Sequence, residues 1–173
     1  MAFDPAVVAA HAAAIRDGRW FELVGLPFSD DELAVLAGLA PRIVRIASWD
    51  DARRAADDPR AVAAYNRDAD EVVALKTRAL AHTAPDELLR VMSAVVDRGL
   101  DVFHQAAQET ARRTGITDEE LTRVAAGAAT EAVYRGALAD AVDGPGHPFV
   151  ATARLFASGR WAVARLDDAL AIF

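Results

Sequence analysis

"PDELLRVMSAVVDRGLDVFHQAAQETARRTGITDEEL", residues 85–121, decides the fold class. Placed at 100° per residue, Leu88, Leu89, Met92, Val95, Val96, Gly99, Leu100, Phe103, Ala106 and Ala107 share one broad face. Arg90, Asp97, Asp101, His104 and Gln108 take the opposite side. This spacing predicts a long amphipathic helix to about Arg113, stopped by Gly115. Thr117, with Glu120 three positions on, then reads as a capping box that opens a second helix to about Val142. Two helices in succession, each with an apolar face, call for helix-on-helix packing.

Working outward, the same punctuation recurs. Asp4-Pro5 reads as N-cap and first helical residue of a helix running to about Asp17. Ser29 is a good N-cap in "SDDEL", and Pro41 divides the helical stretch that follows, because proline cannot donate to the preceding turn. "SWDDARRAADDP" is a short polar helix or turn, and Asp58-Pro59 opens a long helix toward His82. "DGPGHP" is a break, after which a short helix runs from His147-Pro148 to Ser158. The last stretch, "WAVARLDDALAIF", has two short apolar runs around Asp167-Asp168, so a short C-terminal β-hairpin is expected. No linker or low-complexity tract interrupts the chain. The expected fold is all-α: one single-domain helical bundle over residues 1–173, with that hairpin at its end.

The triplet "GRW" occurs twice, at 18–20 and 159–161, each time after an alanine-rich apolar run. Each reads as a helix stop: glycine in the left-handed position, arginine near the negative helix end, and tryptophan turning back as an apolar anchor. The residues after each Trp do not match, which argues against an internal repeat.

Composition narrows the function. Of 173 residues, 53% are hydrophobic, much of that alanine, and the net charge is -7. Charged runs such as "DDARRAADDPR" mix both signs, so no basic stripe tracks a phosphate backbone and nucleic-acid binding is not expected. The absence of cysteine excludes disulfides, thiolate metal sites and a Cys nucleophile. No apolar run approaches the ~20 residues of a membrane span, and "MAFDPAVVAAHAAAIRDG" lacks the features of a signal peptide. A cytoplasmic protein without membrane association is expected. G-x-S-x-G, H-E-x-x-H and E-x-x-H are absent, and "DGPGHP" lacks the Lys and Ser/Thr of a P-loop, so no cofactor and no metal are expected.

Charges on apolar faces are the most informative exceptions, since a buried charge is costly unless paired. In the helix after Pro59, the apolar face (Val62, Tyr65, Ala69, Val72, Ala79, Leu80) holds Lys76 near its middle and Asp68 near its edge. In the helix after Thr117, the face with Leu121, Val124, Ala128, Leu138 and Val142 also contains Glu131 and Arg135, an i,i+4 pair in the favourable order. Lys76, Asp68, Glu131 and Arg135 are therefore the candidate cluster. They form either a structural ion-pair network or a pocket in which Arg135 and Lys76 bind a small anionic molecule or a partner's carboxylate. Asp97, Asp101 and His104 form a second candidate set on a polar face, which also reads as solvated surface. His11 reads as a packed core histidine, His82 lies at a helix C-terminus, and His147 sits in a turn.

Residues 85–130 resemble the core helices of the carboxymuconolactone decarboxylase and alkylhydroperoxidase-D-like family. Gly99, Ala111, Gly115, Thr117 and Glu119-Glu120 fall on matching positions of the family pattern. The resemblance implies an all-helical, often oligomeric scaffold. It carries over no chemistry, because Leu100 and Phe103 stand where peroxidase-type members have cysteines and Ala107 stands where the family histidine would be. His104 is one turn early. Three functions are consistent with these readings. The first is a non-catalytic helical interaction protein, regulatory or neutralising toward a protein partner. The second is an enzyme or small-anion binder of the resembled type. The third is a structural homo-oligomeric subunit.

Overall fold

Helix boundaries follow from side-chain caps that satisfy the first free amides. In the computed structural model, which describes residues 3–173 except the side chains of Val35 and Leu121, Asp4 Oδ1 accepts from the Ala6 amide and opens α1 (Pro5–Ala14). A 3₁₀ turn, Ile15–Asp17, extends it. Ser29 and Glu32 exchange side-chain-to-backbone hydrogen bonds of 3.2 and 2.8 Å in front of α2 (Asp30–Ala37). Ser48 caps α3 (Trp49–Ala56) and Asp58 caps α4 (Pro59–Leu80). Next comes α5 (Pro85–Thr114), closed by Gly115 at φ 72°. Asp118, one residue later than the expected Thr117, accepts from the Glu120 amide at 3.0 Å at the start of α6 (Glu119–Asp143). The last helix is α7 (Pro148–Ala157).

The expected hairpin is present as β2 (Ala162–Leu166) and β3 (Ala169–Ile172), turning at Asp167-Asp168. It belongs to a three-stranded sheet of order β1-β3-β2. The added strand, β1 (Arg42–Arg45), lies just after Pro41 and pairs in parallel with β3, Arg42 opposite Ala169. The sequence reading placed a divided helix there. A four-residue strand whose partner is more than a hundred residues away leaves no local hairpin signal.

α6 is the central element, packing against α1, α4, α5 and α7. Its Ala129, Ala137, Leu138 and Ala139 have no solvent exposure. Alanine at these contacts lets neighbouring helix backbones approach closely. Leu121, placed on this helix's apolar face from sequence, lies outside the described side chains. The α4 face is rotated from the sequence expectation: Ala61, Ala64, Leu75 and Ala79 are buried, whereas Val62, Tyr65, Val73 and Leu80 are exposed. Small residues won over bulky ones because they fit against the sheet and α6.

The two GRW triplets are unlike each other. Gly159 has φ 109°, as a left-handed stop requires, but Gly18 is extended at φ -76°. A Cβ at Gly18 would instead strike the Trp20 ring. Arg19 is 58% exposed and pairs with Glu22 at 2.8 Å. Arg160 is 1% exposed, and all five of its N–H groups are used. Nε donates to Glu32 Oε1 (2.8 Å), Nη1 to the Leu23 and Leu26 carbonyls (2.5 and 2.8 Å), and Nη2 to the Pro27 carbonyl and Glu32 Oε2 (2.8 and 3.0 Å). The guanidinium also lies 4.4 Å from the Phe28 ring centroid. The chain around one triplet meets the chain around the other, through Leu23 N–H to the Gly159 carbonyl and Arg19 N–H to the Ala157 carbonyl, both 2.9 Å.

Arg160→Met should cost about 3–5 kcal/mol and lower Tm by roughly 10 °C, because it strands the Leu26 and Pro27 carbonyls and leaves Glu32 without its cation. Arg19→Met should change stability by no more than about 0.5 kcal/mol, both variants being compared with the parent by urea titration and thermal melts. The Arg160 hydrogen bond holds the Glu32 carboxyl down from 4.5 to about 2. Its contribution is therefore present above pH 4.5 and lost as the pH falls toward 2. Glu32→Gln should flatten that acid limb of the stability profile.

Candidate functional site

Alanine on facing elements leaves a cleft of about 410 Å³ between α4, α6, α7 and β2. Ala61 and Ala64 of α4, Ala128 and Ala132 of α6, and Ala162 and Ala164 of β2 line it, with the Phe149 and Phe156 rings of α7. β2 carries one extra residue between Ala162 and Ala164, and the bulge sits where Val163 joins the wall. Val62, Tyr65 and Val124, each about half exposed, stand among the lining residues.

Three of the four candidate residues meet here. Arg135, 11% exposed, donates through Nη2 to Glu131 Oε1 at 2.6 Å and through Nη1 to Asp68 Oδ2 at 3.3 Å. Its guanidinium lies 5.0 Å from the Tyr65 ring centroid and 5.6 Å from that of Phe149. The Tyr65 hydroxyl donates to the same Glu131 oxygen at 3.2 Å. Arg135 thus occupies a cage of two carboxylates and two aromatic faces, the surroundings that recognise a cation. It does not present a free positive charge.

Asp68 is less well served. Burial pushes its carboxyl above the ordinary 3.8, against the pull of Arg135, Arg165 and Arg67. Its Oδ1 accepts from no donor among the described residues. Arg165, on the β2 wall, is exposed and makes no ion pair among the described residues. Nothing in the α4–α6 charge pattern singled out Arg165, Tyr65 or Phe149 as neighbours of Arg135. The hairpin and α7 bring two of them in from the far end of the chain.

Lys76 is separate. It is exposed on α4, with Nζ 5.3 Å from the Tyr134 ring centroid, and does not line the cleft. The sequence placed it in a buried face because Val62, Tyr65 and Leu80 surround it, and that face looks outward. The second set also lies on the surface: Asp97, Asp101 and His104 are exposed, and His104 Nε2 meets Gln108 Nε2 at 2.9 Å. His11 is mostly buried, its Nε2 2.8 Å from Asp140 Oδ2.

Glu71, Asp143 and His147 bring ligand atoms within 4.8 Å of one another, a spacing that could hold a metal ion. Their existing bonds oppose it. Arg78 Nη2 donates to both Glu71 (3.1 Å) and Asp143 (2.7 Å). His147 Nδ1 accepts from the Phe149 amide at 3.1 Å and caps α7. An accepting Nδ1 leaves the ring proton on Nε2, the atom nearest Glu71 at 3.8 Å, so no lone pair faces the carboxylates.

Compared with protein-family models, curated proteins and solved structures, the chain matches none. No described helix is long and apolar enough to cross a membrane.

Because the folded Asp68 carboxyl titrates above its unfolded counterpart, it costs stability as pH rises through and beyond 3.8. Asp68→Asn should therefore gain stability relative to the parent between pH 4 and pH 7, and not below pH 3.8, in thermal melts across that range. An unchanged difference at all pH values would contradict the assignment of burial as the dominant cause.

Proposed function

We propose that the protein is a binding protein and that the alanine-walled cleft receives a small molecule with an apolar body. The observation that carries this reading is the combination of volume and lining. About 410 Å³ of concavity is walled by alanine and phenylalanine, and one strip of polar groups converges on it. Small-molecule sites have this size and this ratio of apolar wall to placed polar atoms, and a carboxyl with a displaced titration commonly sits in them. The reading assigns no reacting group to the cleft.

A second reading is supported by exposed apolar side chains, some of which border the same cleft. Nine large apolar side chains are exposed among the described residues, and seven are on α4, α5 and α6: Val62, Tyr65, Val73, Leu80, Leu89, Leu100 and Val124. Such concentration favours a protein contact, either with a regulated partner or with a second copy. We also propose kinship with the carboxymuconolactone decarboxylase and alkylhydroperoxidase-D-like scaffold. It is supported by the α5–Gly115–α6 succession, whereas Leu100, Phe103 and Ala107 replace the family's reacting residues, so the proposal extends to the scaffold and not to its chemistry. A cytoplasmic location belongs to the same proposal.

Titrating a small aromatic and aliphatic fragment library against ¹⁵N-labelled protein should move amides of Tyr65, Ala128, Ala132 and Phe149 together. Ala128→Trp, which fills the cleft, should remain folded and lose those shifts. Light scattering separates the protein-contact readings: a dimer mass supports self-association, and a monomer at high concentration leaves only a different partner.

A further inference from the structure

The charges in the cleft can be counted from its lining. Asp68 and Glu131 contribute two negative charges, and Arg135 and Arg165 two positive ones. They cancel. Around the mostly buried Arg135 the pairing leaves neither sign on offer, and the exposed Arg165 keeps its charge in water, where a further ion pair adds little. Arg135 is taken by both carboxylates and by the Tyr65 and Phe149 rings, so an incoming anion must compete with Asp68 and Glu131 for it. An incoming ammonium finds the carboxylate-aromatic cage already filled by that guanidinium. What this cluster leaves without a partner among the described residues are two acceptors, Asp68 Oδ1 and Glu131 Oε2, and a donor, Arg135 Nε.

An ion entering such a site would give up water and gain no net opposite charge, and that exchange is unfavourable in apolar surroundings. A neutral group that both donates and accepts hydrogen bonds loses far less and can meet either kind of free atom. We infer that the cleft selects uncharged ligands, an apolar body ending in a primary amide or comparable donor-acceptor group, over carboxylates and amines of the same shape. This inference rests on the reading of the cleft as a small-molecule site, and it replaces the anionic ligand expected from the positions of Arg135 and Lys76 with a neutral one. The displaced titration of Asp68 supports it independently, since it marks a carboxylate that the protein solvates incompletely.

The test uses three compounds with one body: 3-phenylpropanamide, 3-phenylpropanoate and 3-phenylpropylammonium, titrated at pH 7 and read from amide shifts of the cleft residues. The amide should bind about tenfold more tightly than either ion. Two variants then change the charge balance without filling the cleft. Asp68→Asn leaves a net positive cleft and should shift the preference toward the propanoate by about tenfold. Arg165→Gln leaves a net negative one and should shift it toward the ammonium. Tighter binding of either ion to the parent, or a preference that neither variant moves, overturns the selection for neutral ligands while leaving the cleft a ligand site. If none of the three compounds moves the cleft amides of the folded parent, the cleft reading itself fails.

Discussion

The fold depends on a guanidinium that water does not reach. Arg160 would cost several kcal/mol to bury if any of its donors were idle. Each one has an acceptor, and those acceptors lie in one short segment, Leu23 to Glu32. That segment has little regular structure before α2, and its Leu26 and Pro27 carbonyls accept from no other donor among the described residues. Arg160 therefore does for residues 23–27 what a strand partner does for a strand. It also orients α2 through Glu32, which simultaneously serves the Ser29 cap. Behind α2, Leu36 packs with Leu155, Leu170 and Ile172, so the same contact seats the sheet and the end of α7.

Around this clamp the chain solves a volume problem with alanine. α6 is surrounded by four helices, and bulky side chains on every face would hold them apart. Alanine permits close approach, but it also leaves space wherever two elements cannot close on each other. The cleft is such a place. α4 and β2 meet α6 and α7 through alanines, and the bulge at Val163 sets the strand off from a flat wall. The concavity and the tight packing beside it thus have one cause.

Whether a feature could be read from sequence depended on whether its cause was local. Asp4, Ser29, Ser48, Asp58 and Gly115 act on backbone groups within a few residues, and the helix ends follow from them. The two-aspartate turn that makes the hairpin is equally local. β1 is different: Arg42 to Arg45 becomes a strand only because β3 is there to pair with it. The α4 face was misjudged for a related reason. A wheel weighted by bulk favours Val62, Tyr65 and Leu80, but the face that packs inward carries Ala61, Ala64 and Ala79 with Leu75 as its one large side chain among the buried residues. Of the candidate site, the Glu131–Arg135 pair and its tie to Asp68 follow from helical spacing. Lys76 does not join them, and Arg165 arrives by a hairpin that the helix pattern says nothing about.

The two internal arginines separate structural charge from charge that can recognise something. Both are deeply placed, both touch an aromatic ring, and both are paired with carboxylate. Arg160 is saturated: five donors meet five acceptors, and Glu32 uses both oxygens on it. No further group can enter that network without breaking a bond. Arg135 divides its pairing between two carboxylates, which leaves Asp68 with one oxygen that accepts from no donor among the described residues, in a cleft that Arg165 also lines. A ligand that carries both a donor and an acceptor can take the place of water on such remainders while its apolar body covers the alanine wall. A buried network closed on itself holds the fold together; one with a remainder, opening into a space the size of a small molecule, is arranged to be completed from outside.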